Sequence, residues 1–246
     1  MRIVTYNVHS CRGNDRRLDL ERIAEVIAGV GAEVVCLQEL DAGRNRTGKV
    51  HQAEVLARLL TMEFHFFPAI RLAAEEYGDA ILSRHPLKMV RTGALPRVVG
   101  SLEPRGALWV EIDAGAARWQ IINTHFGLGR IERRTQGRAI ATWIADAKAC
   151  GPTVFCGDLN SRSGSRVHRL LGPELTEVQL AAHGGQQSTF ATWGRWICLD
   201  YIYVSPEVEI RSAEVVINPL TKAASDHYPL VADLQLKAQP AQSCPD

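Results

Sequence analysis

The sequence has no long apolar run among its 246 residues. No segment approaches the ~20 apolar residues that a membrane-spanning helix needs, so we expect no stable insertion into a membrane. An apparent core strand follows Met1 almost at once and leaves no room for a signal peptide. Together these two absences predict a cytoplasmic protein.

Closely spaced cysteines are also missing. The six cysteines show no CxxC spacing, and Cys36 and Cys156 lie in apolar segments, where cysteine usually behaves as a small buried hydrophobe. No group of cysteines and histidines has the spacing of zinc ligands. The sequence therefore argues against a zinc site and fits a reducing compartment.

Neither sign of charge dominates. With 28 Lys and Arg against 27 Asp and Glu, the formal net charge is +1. This balance excludes no partner, because a nucleic-acid enzyme can concentrate its positive charge in one groove. No basic tail or long basic insertion is present. Arg162, Arg166 and Arg169 either border a polyanionic substrate or form a solvated helix face. We expect few phosphate contacts and a shallow salt dependence of nucleic-acid binding.

Linkers of the kind that separate domains are absent as well. No Gly/Ser-rich segment, block of like charge or low-complexity stretch interrupts the chain, and 46% of its residues are hydrophobic, enough for an extensive core. The sequence therefore predicts one domain over residues 1–237 and a flexible tail over 238–246. We expect this domain to be a monomer.

Strand and helix patterns alternate along the chain. Apolar spacing predicts helices over about 18–29, 50–60 and 130–148. It predicts strands over 2–8, 33–39, 64–67, 78–84, 87–95, 106–113, 118–125, 153–158, 198–204, 208–217 and 229–236. Short helices and loops are expected from Ser161 to about Gln187. Two β-rich halves, divided between residues 113 and 118, would each present one mixed, mainly antiparallel sheet covered by helices. This indicates an α/β protein built as a four-layer α/β/β/α sandwich.

Polar side chains stand where five of the apolar runs meet loops. They are Asn7; Glu39; Asp158 and Asn160; Asp200; and Asp226 and His227. Taken singly, an Asp after a strand is usually a turn former or a helix cap. Ligands of α/β proteins bind where strand ends open into loops, so together these groups are expected to converge on one site. His227, oriented and made basic by Asp200 or Asp226, forms a candidate catalytic dyad.

Eight short motifs carry these polar groups in a fixed order. They are TYNVH (5–9), LQE (37–39), GDAILSRHP (78–86), EPRGAL (103–108), NTHF (123–126), GDLN (157–160), LDYIY (199–203) and SDHYPL (225–230). The series resembles the endonuclease/exonuclease/phosphatase superfamily, the DNase I-like fold, over nearly the whole chain. The resemblance implies the same four-layer sandwich and a phosphoester hydrolase. It does not specify the substrate, since the superfamily includes nucleases, deadenylases, inositol-phosphate phosphatases, sphingomyelinases and tyrosyl-DNA phosphodiesterases.

Cleavage of an anionic phosphoester needs a cation, an activated water and hydrogen-bond donors. Glu39 as a lone carboxylate, with Asn7 as a neutral oxygen ligand, suits Mg²⁺ or Mn²⁺. The resemblance implies the same arrangement, in which the residue matching Glu39 holds the metal and the one matching Asn7 lies beside it. Asp226 would complete the metal shell.

The resemblance also implies roles for the remaining polar groups. Asp158 and Asn160 would orient the nucleophilic water and a phosphate oxygen, and His125 would donate to the phosphate. His227 would be either the general base, polarised by Asp200, or a phosphate-binding imidazolium. Whether Asp158 or His227 takes the proton of the water stays open, as does the choice between one metal and two.

Further candidates each have two interpretations. Arg105 lies in a Pro/Gly turn and either contacts the substrate or is a solvated surface residue. Asp79 either pairs with His125 and raises the pKa of that ring, or caps its strand. Trp193 and Trp196 are either core residues or a platform for a base or an acyl chain.

The predicted function is that of a Mg²⁺- or Mn²⁺-dependent phosphodiesterase. Its substrate would be nucleic acid, a nucleotide or another phosphodiester, the head group of a phospholipid included. The alternative is a phosphomonoesterase acting on a sugar or inositol phosphate. A catalytically inactive binding module would be expected to lose Glu39, Asp158 or His227, and all three are present.

Overall fold

Strands outnumber helices in the computed structural model, which describes residues 1–115, 117–192 and 195–238. In chain order the strands are β1 (Arg2–Asn7), β2 (Val34–Ala42), β3 (Glu63–Leu72), β4 (Glu75–Ser83), β5 (Leu87–Ala94), β6 (Gly106–Asp113), β7 (Arg118–His125), β8 (Thr153–Asp158), β9 (Thr176–Glu177), β10 (Phe190–Thr192), β11 (Arg195–Ile197), β12 (Asp200–Val204), β13 (Val208–Val215) and β14 (Leu230–Leu236). The helices are α1 (Leu20–Val30), α2 (Gln52–Leu60), α3 (Arg130–Cys150), α4 (Arg166–Leu171), α5 (Val178–His183) and α6 (Pro219–Ala224).

These strands form two six-stranded sheets and a separate hairpin of β10 and β11. The order of the first sheet is β13-β14-β1-β2-β4-β3, and that of the second is β5-β6-β7-β8-β12-β9. Each sheet has one parallel pair near its centre, β1 with β2 and β7 with β8, connected through α1 and α3 respectively. The other neighbouring strands are antiparallel. The prediction of mixed, mainly antiparallel sheets is confirmed.

The division of the chain between the sheets differs from the prediction. The second sheet begins with β5 and β6, which were expected in the first, and β13 and β14 return to the first sheet. β14 pairs antiparallel with β1 and covers an edge that β1 would otherwise expose. Apolar periodicity identifies a strand but not its partner, so the sequence did not indicate this return.

Alternating side chains build three apolar layers around the two sheets. Ile3 of β1 faces the interior between the sheets, whereas Val4 and Tyr6 pack under α1 and α2. On β8, Val154 faces the same interior and Phe155 packs under α3. Helices therefore cover the outer face of each sheet, which confirms the four-layer α/β/β/α sandwich.

Two local irregularities shape the edge where the polar strand ends meet. The register between β2 and β4 shifts between Leu37 and Leu40, and Glu39 takes a positive φ of 65° within this bulge. Before Asp158, Gly157 has a φ of 139°, and a Cβ there would lie 1.9 Å from the carbonyl oxygen of Thr124. Only glycine allows β8 this close approach to β7.

A few elements of the structure were not predicted from the sequence, and a few predictions concern residues that the structure does not describe. The hairpin of β10 and β11 and the helix α6 were not predicted. Trp196 is exposed and stacks on Tyr228, so of its two interpretations the one as a core residue is wrong. Trp193 lies outside the described residues, as does the expected tail from residue 239 onward.

No helix of the described ranges is both long enough and apolar enough to cross a membrane.

Candidate active site

One cavity of about 560 Å³ opens at the edge of the sandwich where the polar strand ends converge. Seven of the predicted site residues line it: Glu39, Arg105, His125, Asp158, Asn160, Asp226 and His227. Behind this lining, Asn7, Asp79 and Asp200 are buried. Arg162 is exposed and does not line the cavity, so its substrate contact stays a prediction without support from the geometry.

Asp158, the last residue of β8, is at the centre of the polar network. Its Oδ1 accepts a hydrogen bond from the backbone N–H of Asn160 at 2.8 Å, and its Oδ2 accepts one from Nδ2 of Asn7 at 3.1 Å. Burial and the nearby charge of Asp200 raise the pKa of Asp158 to about 7, although His227 acts in the opposite direction. A carboxylate with such a pKa is suited to accept a proton near neutral pH.

His227 lies beside two carboxylates. Its Nδ1 contacts Oδ2 of Asp200 at 2.8 Å, and its Nε2 lies 3.7 Å from Oδ2 of Asp158. Burial alone would lower the pKa of His227, but the charge and hydrogen bond of Asp200, with Asp158 and Asp226, raise it to about 10. Phe190 of β10 packs on the ring with the centroids 4.8 Å apart. These neighbours therefore favour the imidazolium form of His227.

His125, at the end of β7, has the opposite environment. Its Nδ1 lies 3.0 Å from Nη1 of Arg105, and its Nε2 lies 3.5 Å from Oδ2 of Asp158. Burial and the charges of Arg105 and His227 lower the pKa of His125 well below its ordinary value. Because a guanidinium only donates, Nδ1 must accept and the proton must lie on Nε2. His125 is thus neutral, with its N–H directed at the cavity.

The surroundings of Arg105 and Asp79 rule out one of the two interpretations that the sequence left open for each. Arg105 is buried and also forms an ion pair with Glu103 at 3.1 Å, so it is not a solvated surface residue. Asp79 does not pair with His125, because Arg105 occupies Nδ1 of that ring. Instead, Asp79 is buried beside the bulge of β2, where the backbone N–H of Glu39 acts to lower the pKa of its carboxyl. Burial, only partly offset by Arg105, raises the pKa of Asp79 to about 8.

Glu39 offers a carboxylate to the cavity, and its Oε1 accepts from Nδ2 of Asn7 at 2.9 Å. The oxygen of that amide accepts from the backbone N–H of His9, so Asn7 would have to turn its amide to act as an oxygen ligand. Asp226 lines the same cavity, 3.7 Å from Nδ1 of His9. These oxygen donors fit a hard divalent cation such as Mg²⁺ or Mn²⁺.

A second group of potential ligands is more compact. Within the described residues, Asp158, Asp200 and His227 are the three acidic or histidine side chains whose ligand atoms all lie within 4.8 Å of one another. All three are buried. A proton on His227 offsets one of the two carboxylate charges, and an imidazolium cannot ligate a metal. Glu39 therefore remains the better candidate for the metal.

Some residues of the cavity were not identified from the sequence. Arg44 and Arg46 line it. Arg46 forms a bidentate ion pair with the buried Asp41, in which Nε donates to Oδ2 and Nη2 donates to Oδ1, each at 2.7 Å. Both guanidinium groups lie 5.6 Å from the ring of Tyr77. Both arginines follow β2 within a few residues of the LQE motif, and this proximity was an available signal. No sequence signal marked Phe190, because it lies on a hairpin strand of only three residues.

A model of the Endonuclease/Exonuclease/phosphatase family matches residues 4–227 of the chain. The chain belongs to this family. Family members generally hydrolyse phosphoesters and typically depend on a divalent metal. This confirms the resemblance found in the eight motifs.

Proteins that are similar to this chain in sequence or in fold have names that point to different activities or to none. The uncharacterized protein YbhP of Escherichia coli K12 is 27% identical over 96% of both chains. An endonuclease/exonuclease/phosphatase from Beutenbergia cavernae is 22% identical with a TM-score of 0.78, over 98% of this chain and 72% of that one. The mannosyl-6-phosphatase Bt3783 of Bacteroides thetaiotaomicron is 15% identical with a TM-score of 0.74, over 96% of this chain and all of that one.

Proposed function

We propose that the protein is a Mg²⁺- or Mn²⁺-dependent phosphodiesterase in which Asp158 is the general base. The observation that carries this proposal is the placement of Asp158 between a neutral and a charged histidine, His125 at 3.5 Å and His227 at 3.7 Å. Groups whose pKa values are shifted apart in one site typically divide acid and base roles. Asp158 would remove the proton of the attacking water.

The two histidines would bind the phosphate as donors of different charge. His227 is assigned the role of a donor and not that of the base, because Asp200 favours its protonated form and a protonated ring has no free nitrogen to accept. It would stabilise the charge that develops on the phosphate oxygens. Nε2 of His125 lies 3.0 Å from the amide of Asn160, whose Nδ2 also donates to the carbonyl oxygen of Phe126 at 2.8 Å. With its proton on Nε2, His125 would donate to a phosphate oxygen in the cavity.

The cation would be held by Glu39, with Asp226 and the amide of Asn7 as further oxygen donors. When bound, it supplies positive charge that neutralises the phosphate and polarises the phosphorus–oxygen bond. Asp79 would act on Glu39 through the bulge of β2 and not on the substrate. Buried Asp200 would orient His227.

Metal dependence is tested on bis-p-nitrophenyl phosphate. EDTA should abolish hydrolysis, and Mg²⁺ or Mn²⁺ should restore it. Glu39→Gln should raise the metal concentration needed for half-maximal activity, whereas Glu54→Gln, on the exposed face of α2, should not. Full activity after exhaustive chelation would contradict the proposal, and an inactive binding module would show no metal-restored hydrolysis at all.

A phosphomonoesterase is the competing function, and one feature favours it. Arg12, Arg44 and Arg46 line the cavity beside Arg105, and such cations suit the second charge of a monoester. The mannosyl-6-phosphatase of Bacteroides thetaiotaomicron resembles this chain in fold only, so the resemblance does not decide between the two functions. Turnover of p-nitrophenyl phosphate above that of the diester, lost on Arg44→Gln and Arg46→Gln, would favour the monoesterase.

A further inference from the structure

An apolar ridge stands beside the active site. It consists of Val99 and Leu102, from the loop between β5 and β6, of Leu128, just before α3, and of Ile131, in the first turn of α3. Their relative exposures run from 56% for Leu128 to 106% for Val99. Aliphatic side chains this exposed and this close in the fold are typical of a surface that contacts another apolar phase.

A groove of about 890 Å³ runs along the other side of this ridge. Six arginines line it, four from α3 and two from α4: Arg130, Arg133, Arg134, Arg138, Arg166 and Arg169. Glu132 is the one carboxylate in the lining, and it is buried. Within the part of the chain that the structure describes, none of the six arginines forms an ion pair. The groove therefore carries a large uncompensated positive charge and is complementary to an anionic partner.

The ridge separates this arginine groove from the catalytic cavity. Leu102 and Leu128 line the catalytic cavity, whereas Val99 and Ile131 line the groove, and Glu132 borders both. The three features therefore open on one face of the molecule. Of these six arginines, only Arg166 and Arg169 were expected to border a polyanionic substrate, because local sequence patterns do not reveal that α3 packs against α4.

We propose that this face docks on the surface of an anionic phospholipid bilayer. Exposed aliphatic side chains flanked by arginines bind at a lipid interface, since the former enter the boundary between head groups and acyl chains while the latter contact lipid phosphates. The catalytic cavity would then open next to the head groups. Docking uses none of the proposed catalytic side chains and does not rest on the proposed hydrolysis.

A nucleic-acid strand fits this face less well. A strand that ran from the groove to the catalytic cavity would have to cross the ridge, where aliphatic side chains offer neither a cation nor an aromatic ring for stacking. The residues that line the groove include no aromatic side chain. Charge alone would suit both polyanions, but the ridge favours lipid.

Vesicle sedimentation tests the docking without any turnover. The purified protein should sediment with vesicles of phosphatidylcholine and phosphatidylglycerol, and not with phosphatidylcholine alone. Arg134→Gln with Arg138→Gln, and separately Val99→Ser with Leu102→Ser, should each weaken the binding by about 10-fold or more. The matched control, Arg58→Gln with Leu59→Ser, changes an exposed pair on α2, which covers the opposite sheet, and should bind as before.

Melting temperatures of all variants would establish that they are folded. Absence of binding to the anionic vesicles would overturn the proposal. So would equal loss of binding in the control on α2. Tight binding of a single-stranded oligonucleotide that is lost with the two arginines, without vesicle binding, would assign the groove to nucleic acid instead.

Discussion

The two histidines of the cavity are buried to a similar degree and lie almost equally far from Asp158, yet their surroundings favour different charges. Nδ1 of His125 meets the guanidinium of Arg105, and Nδ1 of His227 meets the carboxylate of Asp200. Burial disfavours the charged form of both rings, so the neighbour at Nδ1 decides the outcome. One site thereby obtains a neutral donor and a cationic donor from the same residue type.

The largest expected effect is on turnover. His227→Ala and Asp158→Asn should each lower kcat by about 10²-fold or more, with a much smaller change in KM, because both act on the water or the transition state. The double variant should be little worse than either single one, since the residues act as a unit. His65→Ala, on β3 and outside the cavity, is the control. Near-normal turnover of either variant would exclude that residue from the chemistry.

The pairing of Asp200 with His227 can be broken while the ring stays in place. In Asp200→Asn the pKa of His227 should fall, because burial lowers it and the largest opposing charge is gone. Activity should drop by about 10²-fold above neutral pH, and the pH at which activity is lost on the alkaline side should fall together with the pKa of the ring. The alkaline limb of the pH–rate profile measures this. An unshifted limb would show that Asp200 does not set the charge of His227.

The environment of His125 is changed by replacing Arg105. Arg105→Met should raise the pKa of His125, because a guanidinium that disfavours the imidazolium is removed. We expect a loss of about 10-fold in kcat/KM that grows toward acidic pH, where the ring becomes protonated. Arg105→Lys keeps the charge and should retain more activity. Equal losses in both variants at every pH would point to packing instead of charge.

The smallest effect is on the stability of the metal-free protein. The folded-state pKa of His227 is raised from 6.5 to about 10, so its stabilisation is fully present below pH 6.5 and is lost as the pH rises to about 10. Asp158, raised from 3.8 to about 7, also favours its protonated form in the folded state, so both groups make stability fall with rising pH. Melting temperatures in EDTA should decline as the pH rises from 6.5 to about 10, and less steeply in Asp200→Asn. A flat profile for the wild type would contradict the assigned charges.

The sequence predicted well where polar side chains meet strands, since Asn7 and Asp158 end β1 and β8 and Asp200 begins β12. Glu39 instead lies in a bulge inside β2, which continues to Ala42. The sequence left the partner of His227 open between Asp200 and Asp226, and the fold selects Asp200, whereas Asp226 faces His9. Arg105 beside His125 was not predicted, since the turn before β6 and the end of β7 meet only through the pairing of those strands. Local periodicity carries no information on which strands or helices become neighbours. For the same reason the arginines of α3 and α4 were not seen as one groove.

A histidine NMR titration of the metal-free protein with isotope-labelled rings tests the central claim most directly. At about pH 8, His227 should be an imidazolium, because its pKa lies near 10. His125 should be neutral at the same pH, with the proton on Nε2 and the free nitrogen facing Arg105. His227→Ala and His125→Ala assign the two signals. Two neutral rings at that pH, or a protonated His125, would contradict the account.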